Sequence, residues 1–214
     1  MKITILTDNR ESWIIPYVDM IIGILSNSEA SVKHVYNIKD VEESDVLFLL
    51  SCEKIITQKQ LDICKNNIVI HPSRLPKGRG WSPLAWQILE NKNWIPISLF
   101  EATSNVDSGN VYMVDYIELQ GTELNEEIKH LQGMKTVDMA AAYIYNWPMI
   151  GRPQEDSEST YYKKRGLDSS ELDINKSIEE NFNLLRVADN NRYPAFFYKN
   201  SRKYIIKVYE ADDE

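Results

Sequence analysis

The chain has 214 residues, 43% of them apolar and 26% charged, with a net charge of −8. That balance suits one sizeable core with an appendage and excludes a disordered segment, while the acidity argues against a general nucleic-acid binder. The two cysteines, Cys52 and Cys64, lack metal-site spacing, and no apolar run approaches the ~18 residues of a membrane span.

Lys2 to Leu6 reads as a short buried strand ended by Thr7-Asp8-Asn9. No signal peptide reads ahead of it, so a cytoplasmic chain with free thiols is expected. Residues 12–26 follow as a helix, with Ser12 as its cap, Pro16 near its start and Asn27-Ser28 breaking it. Val32–Tyr36 is a second strand. Val46–Leu50, a continuous apolar run, suits a third strand covered on both faces. No Gly-x-Gly-x-x-Gly follows the first strand, which disfavours a dehydrogenase or flavodoxin-like reading.

Gln58 to Lys65 forms the next helix and leads into Ile68-Val69-Ile70-His71, an aliphatic strand ending in a histidine. Pro72, Pro76, Gly78 and Gly80 then force a shaped loop. A helix restarts near Trp81, with Ser82 as N-cap and Pro83 in its first turn. Strand, ionisable tip, loop and helix is how an open α/β sheet presents a reactive group at a strand's carboxyl end.

Ile95–Leu99 and Val111–Leu119 flank a polar loop, and the mixed periodicity of the second suits an edge or antiparallel strand. From Gly121 a long helix carries Leu124, Ile128, Leu131, Ala141 and Ile144 on one stripe, with Gly133 placed to bend it and Pro148 to stop it. Gly151 to Ser159 is polar, lacks periodicity and reads as a linker. A division into a core of residues 1–150 and a C-terminal subdomain of 151–214 follows. The subdomain holds a helix over Ser177–Asp189, with Ile178, Phe182 and Leu185 buried. A hairpin of Pro194–Tyr198 and Lys203–Val208 turns at Asn200-Ser201-Arg202, ahead of a frayed tail, Asp212-Asp213-Glu214.

His71-Pro72-Ser73-x-Leu75-Pro76-Lys77-x-Arg79-Gly80, followed by Val106-Asp107-Ser108-Gly109, resembles the folate-dependent formyltransferases. The resemblance implies a trimmed Rossmann-like core and 10-formyltetrahydrofolate as donor. It makes His71 and Asp107, thirty-six residues apart, the catalytic residues. By position it places Cys52, Lys54, Ile55, Ile56, Val106 and Asp107 at the folate, and Ser73, Lys77 and Arg79 at the acceptor. Two alternatives stay open: the isoleucines after the third strand could pack on the sheet, and the two cations could merely solubilise their loop. No metal is implied. His34 and His130 read as surface or helix residues, and Trp81 and Trp86 as packing beneath the loop.

Such chemistry needs a group that titrates near neutrality, a partner orienting it, and a donor for the oxyanion of formyl transfer. His71 and Asp107 fill the first two roles. The family's Asn, two residues before the histidine, is here Val69, which has no hydrogen to donate. Losing such a donor costs about 10²–10³ in rate. Asn67 shares the strand face but lies ~13 Å from His71 along an extended strand. Ser51, Cys52 and the backbone remain alternatives.

The segments around Tyr161–Arg165, Leu172–Ser177 and Tyr193–Phe197 are similar to those following the core in sugar N-formyltransferases and in formylation domains of peptide synthetases. The expected acceptor is therefore a nucleotide-linked deoxy-amino sugar, specifically a UDP-linked 4-amino sugar of the pseudaminic-acid type used in surface polysaccharides. Nucleic acid and membrane are not expected partners. Other readings are formylation of an aminoacyl group on a carrier protein, or a catalytically inactive module of the same fold. The hairpin's aromatic and aliphatic side chains suit either a homodimer or a cap on the core.

Overall fold

The computed structural model describes residues 1–27, 29–155 and 158–211. The helix break read at Ser28, the linker's Asp156-Ser157 and the tail Asp212-Asp213-Glu214 lie outside them. In chain order the strands are β1 (Lys2–Leu6), β2 (Ser31–Val35), β3 (Val46–Leu49), β4 (Asn66–His71), the two-residue β5 (Arg79–Gly80), β6 (Trp94–Glu101) and β7 (Val111–Glu118). Six of them form one sheet in the order β2-β1-β3-β4-β6-β7. The first four are parallel, and β6 and β7 run antiparallel, so β7 is the antiparallel edge its mixed pattern suggested. This is the expected α/β architecture.

Alternation along each parallel strand splits the core in two. Ile3, Ile5, Val46, Phe48 and Ile68 pack on one face under α1 (Ile15–Leu25) and α4 (Asn125–Tyr145). Leu6, Leu47 and Leu49 join Leu61 of the short α2 (Gln58–Leu61) on the other. Cys52, Ile56, Val69 and Ala102 border that second cluster.

Several boundaries differ from the sequence reading. The N-cap of α1 is Ile14, because Ser12 heads a turn whose carbonyl accepts from Ile15 and its hydroxyl turns to Ser51 Oγ, 3.1 Å away. Pro16 sits in the first turn, where a missing N–H costs nothing. The helix before β4 stops at Leu61, since the amide of Lys65 is already bonded to the Ser44 carbonyl beside β3. Ser82 occupies the N-cap of α3 (Pro83–Leu89) in a left-handed conformation, without a side-chain bond. Gly133 lies in an unbroken helix. A Cβ there would come within 2.4 Å of the Tyr17 ring, so its bare backbone lets α1 and α4 approach.

Beyond α4, β8 (Tyr161–Tyr162) pairs in parallel with β5. Helix α5 (Ile178–Val187) is capped by Ser177, whose Oγ accepts from the Glu180 amide at 3.1 Å. Ile178, expected inside, is 77% exposed. The helix buries its other end instead, where fully buried Arg186 reaches Glu123 Oε2 at 3.3 Å and Asn93 Oδ1 at 2.9 Å. Strands β9 (Ala195–Lys199) and β10 (Arg202–Ile206) meet at Asn200-Ser201, both at positive φ, which is the two-residue turn that matches hairpin twist. No helix among the described residues is long and apolar enough to cross a membrane.

Candidate active site

His71 is the last residue of β4, opposite Ser98 of β6, and is 8% exposed. Its Nε2 lies 2.9 Å from the carbonyl oxygen of Gly78. A carbonyl only accepts, so Nε2 carries the proton, and the lone pair of the neutral ring sits on Nδ1. Among the described residues Nδ1 has no hydrogen-bond partner. Phe100 stands edge-on to the ring.

The loop after His71 is fixed by where its amides go. The amide of Gly78 donates to Thr160 Oγ1, that of Arg79 to the Thr160 carbonyl and that of Trp81 to the Tyr162 carbonyl. Gly80, between them, donates the other way, to Asp107 Oδ2 at 2.8 Å. The same oxygen is 3.9 Å from His71 Nε2. That is ion-pairing range for a protonated ring but too long for a hydrogen bond. Asp107 is expected from the sequence to fix the imidazole; in the structure the ring's hydrogen bond goes to the Gly78 carbonyl, with the Asp107 carboxylate 3.9 Å away.

Glycines here lie against neighbouring chain. A Cβ on Gly80 would lie 2.5 Å from the Tyr162 carbonyl oxygen, and one on Gly109 only 1.8 Å from that of Glu101. Gly109 is therefore the residue that lets the Asp107 loop fold back over the end of β6. Glu101 pins that strand end, accepting from the Asn67 amide (2.5 Å), Tyr112 Oη (2.6 Å) and Asn66 Nδ2 (3.1 Å). Burial, and then the Glu101 carboxylate, push the Tyr112 hydroxyl well above its usual range.

Of the expected acceptor residues, Ser73 is 1% exposed, its Oγ buried and unpartnered beneath the loop, so it faces no open rim. Its carbonyl accepts from Ser98 Oγ at 2.6 Å, which seats the loop on β6. Arg79 is half-buried and donates to Tyr161 Oη (3.1 Å) and Gln154 Oε1 (2.6 Å). Lys77 is exposed. Trp86 stacks on Tyr162 and donates to the Lys163 carbonyl, while Trp81 lies beneath Lys164 Nζ, 4.3 Å from its ring.

On the other side of the strand tips, Cys52 Sγ is directed to the Leu6 carbonyl, and burial with nearby Asp8 pushes its thiol up to about 12. It is no nucleophile. Asp8 Oδ2 takes the amides of Glu53 and Lys54 (2.9 and 2.8 Å). Those of Ile55 and Ile56 bond to no described residue. Ile55 is 74% exposed, whereas Ile56 packs inward with Val69 and Ala102, and Val106 is half-exposed beside Asp107. None of the polar groups considered in place of the family Asn is pointed at Val69 by a bond. Asn67 Nδ2 donates to Leu61, Cys52 to Leu6, and Ser51 accepts from Ser12.

Sequence reasoning missed Gln154 and Thr160. Within the stretch read as a linker, Arg152 and Gln154 are tied to the sheet and the Asp107 turn. Arg152 exchanges two 2.8 Å amide bonds with Val111, and Gln154 Nε2 donates to the carbonyls of Asp107 and Gly109, both at 2.9 Å. No periodicity or turn signal marks them.

The methionyl-tRNA formyltransferase of Lachnospira eligens is 27% identical over 179 residues, covering 79% of this chain and 54% of that protein. The chain thus spans about half the length of that relative. Among solved structures, methionyl-tRNA formyltransferase from Clostridium thermocellum superposes with a TM-score of 0.83 at 20% identity, over 99% of this chain and 94% of that one. A 4-N formyltransferase from Francisella tularensis gives 0.73 at 21%, over 99% and 98%. The sequence profile described as formyl transferase matches residues 9–136, a span that takes in β4, the loop and Asp107 together. The chain belongs to the formyl transferase family.

Proposed function

We propose that this chain moves a formyl group from 10-formyltetrahydrofolate to the amine of a nucleotide-linked deoxy-amino sugar, a UDP-linked 4-amino sugar in particular. One observation carries the reading: a strand-tip imidazole whose Nδ1 has no partner among the described residues and a carboxylate 3.9 Å from its other nitrogen, in a formyl transferase chain. The bound donor would supply an activated formyl carbon with a ring-linked nitrogen as leaving group. The residues fit it. Ile55 and Ile56 offer backbone amides that bond to no described residue, and Val69, Ile56 and Ala102 offer an apolar surface for a flat heterocycle. His71 Nδ1 accepts the amine's proton, and Asp107 balances the imidazolium charge.

Cations support an anionic acceptor. Among the described residues, Lys77, Arg79 and Lys163 have no carboxylate within ion-pairing range, on a chain of net charge −8. The named Francisella neighbour is a 4-N formyltransferase, and its chain is matched almost end to end. In this division residues 1–150 form the catalytic core and supply Lys77 and Arg79, and the C-terminal subdomain of 151–214 supplies Lys163 to the acceptor side. Purified protein given 10-formyltetrahydrofolate and a panel of nucleotide-linked amino sugars should release tetrahydrofolate and yield a product heavier by one formyl group. An aminoacyl carrier protein and aminoacylated tRNA complete the panel; turnover with either alone would move the acceptor to that class.

Val69 favours a second reading, a binding module with lost catalysis. Here Val69→Asn decides. Restored turnover, rising about 10²–10³-fold, would show that the missing donor limits this enzyme. Wild-type turnover equal to that of His71→Asn would favour the module.

A further inference from the structure

We infer that Gln154, outside the matched family span, is a positioning residue for Asp107; the inference rests on the catalytic reading of Asp107 above. Its primary amide is used in both senses. Nε2 donates to the carbonyls of Asp107 and Gly109, while Oε1 accepts from Arg79 Nη2. Only one amide orientation satisfies these three contacts, because two partners are acceptors and the third is a donor. One side chain therefore clamps the Asp107 turn from both ends and ties it to the loop that carries Gly78 and Gly80.

The clamp matters because Asp107 sits at a sharp left-handed turn of the backbone. Its φ is +52°, a region that Asp and Asn enter more readily than other non-glycine residues, so the turn's direction depends on what bonds its carbonyls. The carboxylate's own bond to the Gly80 amide fixes Oδ2 relative to His71 Nε2. Bonds from Gln154 to the carbonyls of Asp107 and Gly109 hold the backbone from which that carboxylate projects. Arg79, adjacent to Gly80, closes the circuit from the other side. Misplacing a catalytic group by about 1 Å costs up to about 10² in rate.

Two variants test this. Gln154→Met keeps the volume and removes all three bonds. Gln154→Glu keeps the acceptor for Arg79 but turns a carboxylate oxygen toward two carbonyls. Both should lower kcat about 10–100-fold with KM for donor and acceptor nearly unchanged, Glu at least as severely as Met. A readout independent of turnover is amide hydrogen exchange. The Gly80 amide, bonded to Asp107, should exchange about tenfold faster, while the Gly78 amide, bonded to Thr160, keeps its protection. Unchanged Gly80 exchange in both variants would overturn the inference whatever the rates do. So would equal loss at Gly78 and Gly80, which marks general loosening. If the wild type turns over no amine yet Gly80 responds alone, the positioning stands and the catalytic reading falls.

Discussion

The His71 loop is held on its inner side by β4 and β6 and on its outer side by Gln154 and residues 160–162, and the two supports are built differently. The inner support is regular sheet: His71 opposes Ser98 in an unbroken register, and aliphatic alternation sets which face each residue meets. The outer support is an irregular segment that meets the loop about eighty residues away in sequence, through Thr160, Tyr162 and Gln154. Regular structure places the imidazole. Side-chain and backbone bonds from Gln154, Thr160 and Tyr162 place the carboxylate and shape the loop. A strand tip alone would leave the loop free to sample many states, at a backbone entropy of about 1–2 kcal/mol per residue.

Removing the group the inner support presents should have the largest effect. His71→Ala should cut turnover about 10²–10⁴-fold while leaving stability and donor binding close to wild type. If the rate is unchanged, the strand tip is not the reactive half.

Next in size is Arg186→Met, aimed at the joint between the C-terminal unit and the sheet. Glu123 would keep only the amides of Gln120 and Gly121 against its lost counter-charge, and chemical denaturation should show a loss of about 3 kcal/mol. A loss under about 1 kcal/mol would mean the C-terminal unit is held elsewhere.

A pH scan sharpens the same comparison. Burial alone would raise the Asp189 carboxyl, but Lys129 Nζ and the amides of Arg192 and Asn191 outweigh it and bring it to about 2, from 3.8. With a lowered folded value, its contribution is complete above 3.8 and is lost as pH falls from there through about 2. That contribution is about 2 kcal/mol. Lys129→Met should remove part of it and flatten the acid limb of the stability curve, read by thermal melts between pH 5 and 2.

The smallest effect should come from Glu53→Gln. Glu53 and Lys164 link the two rims at 3.8 Å, yet both side chains are about 60% exposed, so less than about 0.5 kcal/mol should be lost. A larger loss would show that the rims depend on each other more than their backbone bonds suggest.

The sequence by itself determined the elements, the faces of the parallel strands, the histidine at a strand end, the Asp107-Ser108-Gly109 turn and the terminal hairpin. Each is written locally, in periodicity of two or 3.6 or in turn chemistry. Only the tertiary structure decided that Gly78 orients the imidazole, that Ser73 is buried, that Ser12 and Ile178 face away from the roles their patterns suggested, and that a supposed linker clamps Asp107. Those outcomes depend on which distant backbone groups meet. A polar residue such as Gln154 looks alike in a solvated loop and in a clamp, because its hydrogen-bond capacity is the same in both and only the partners differ.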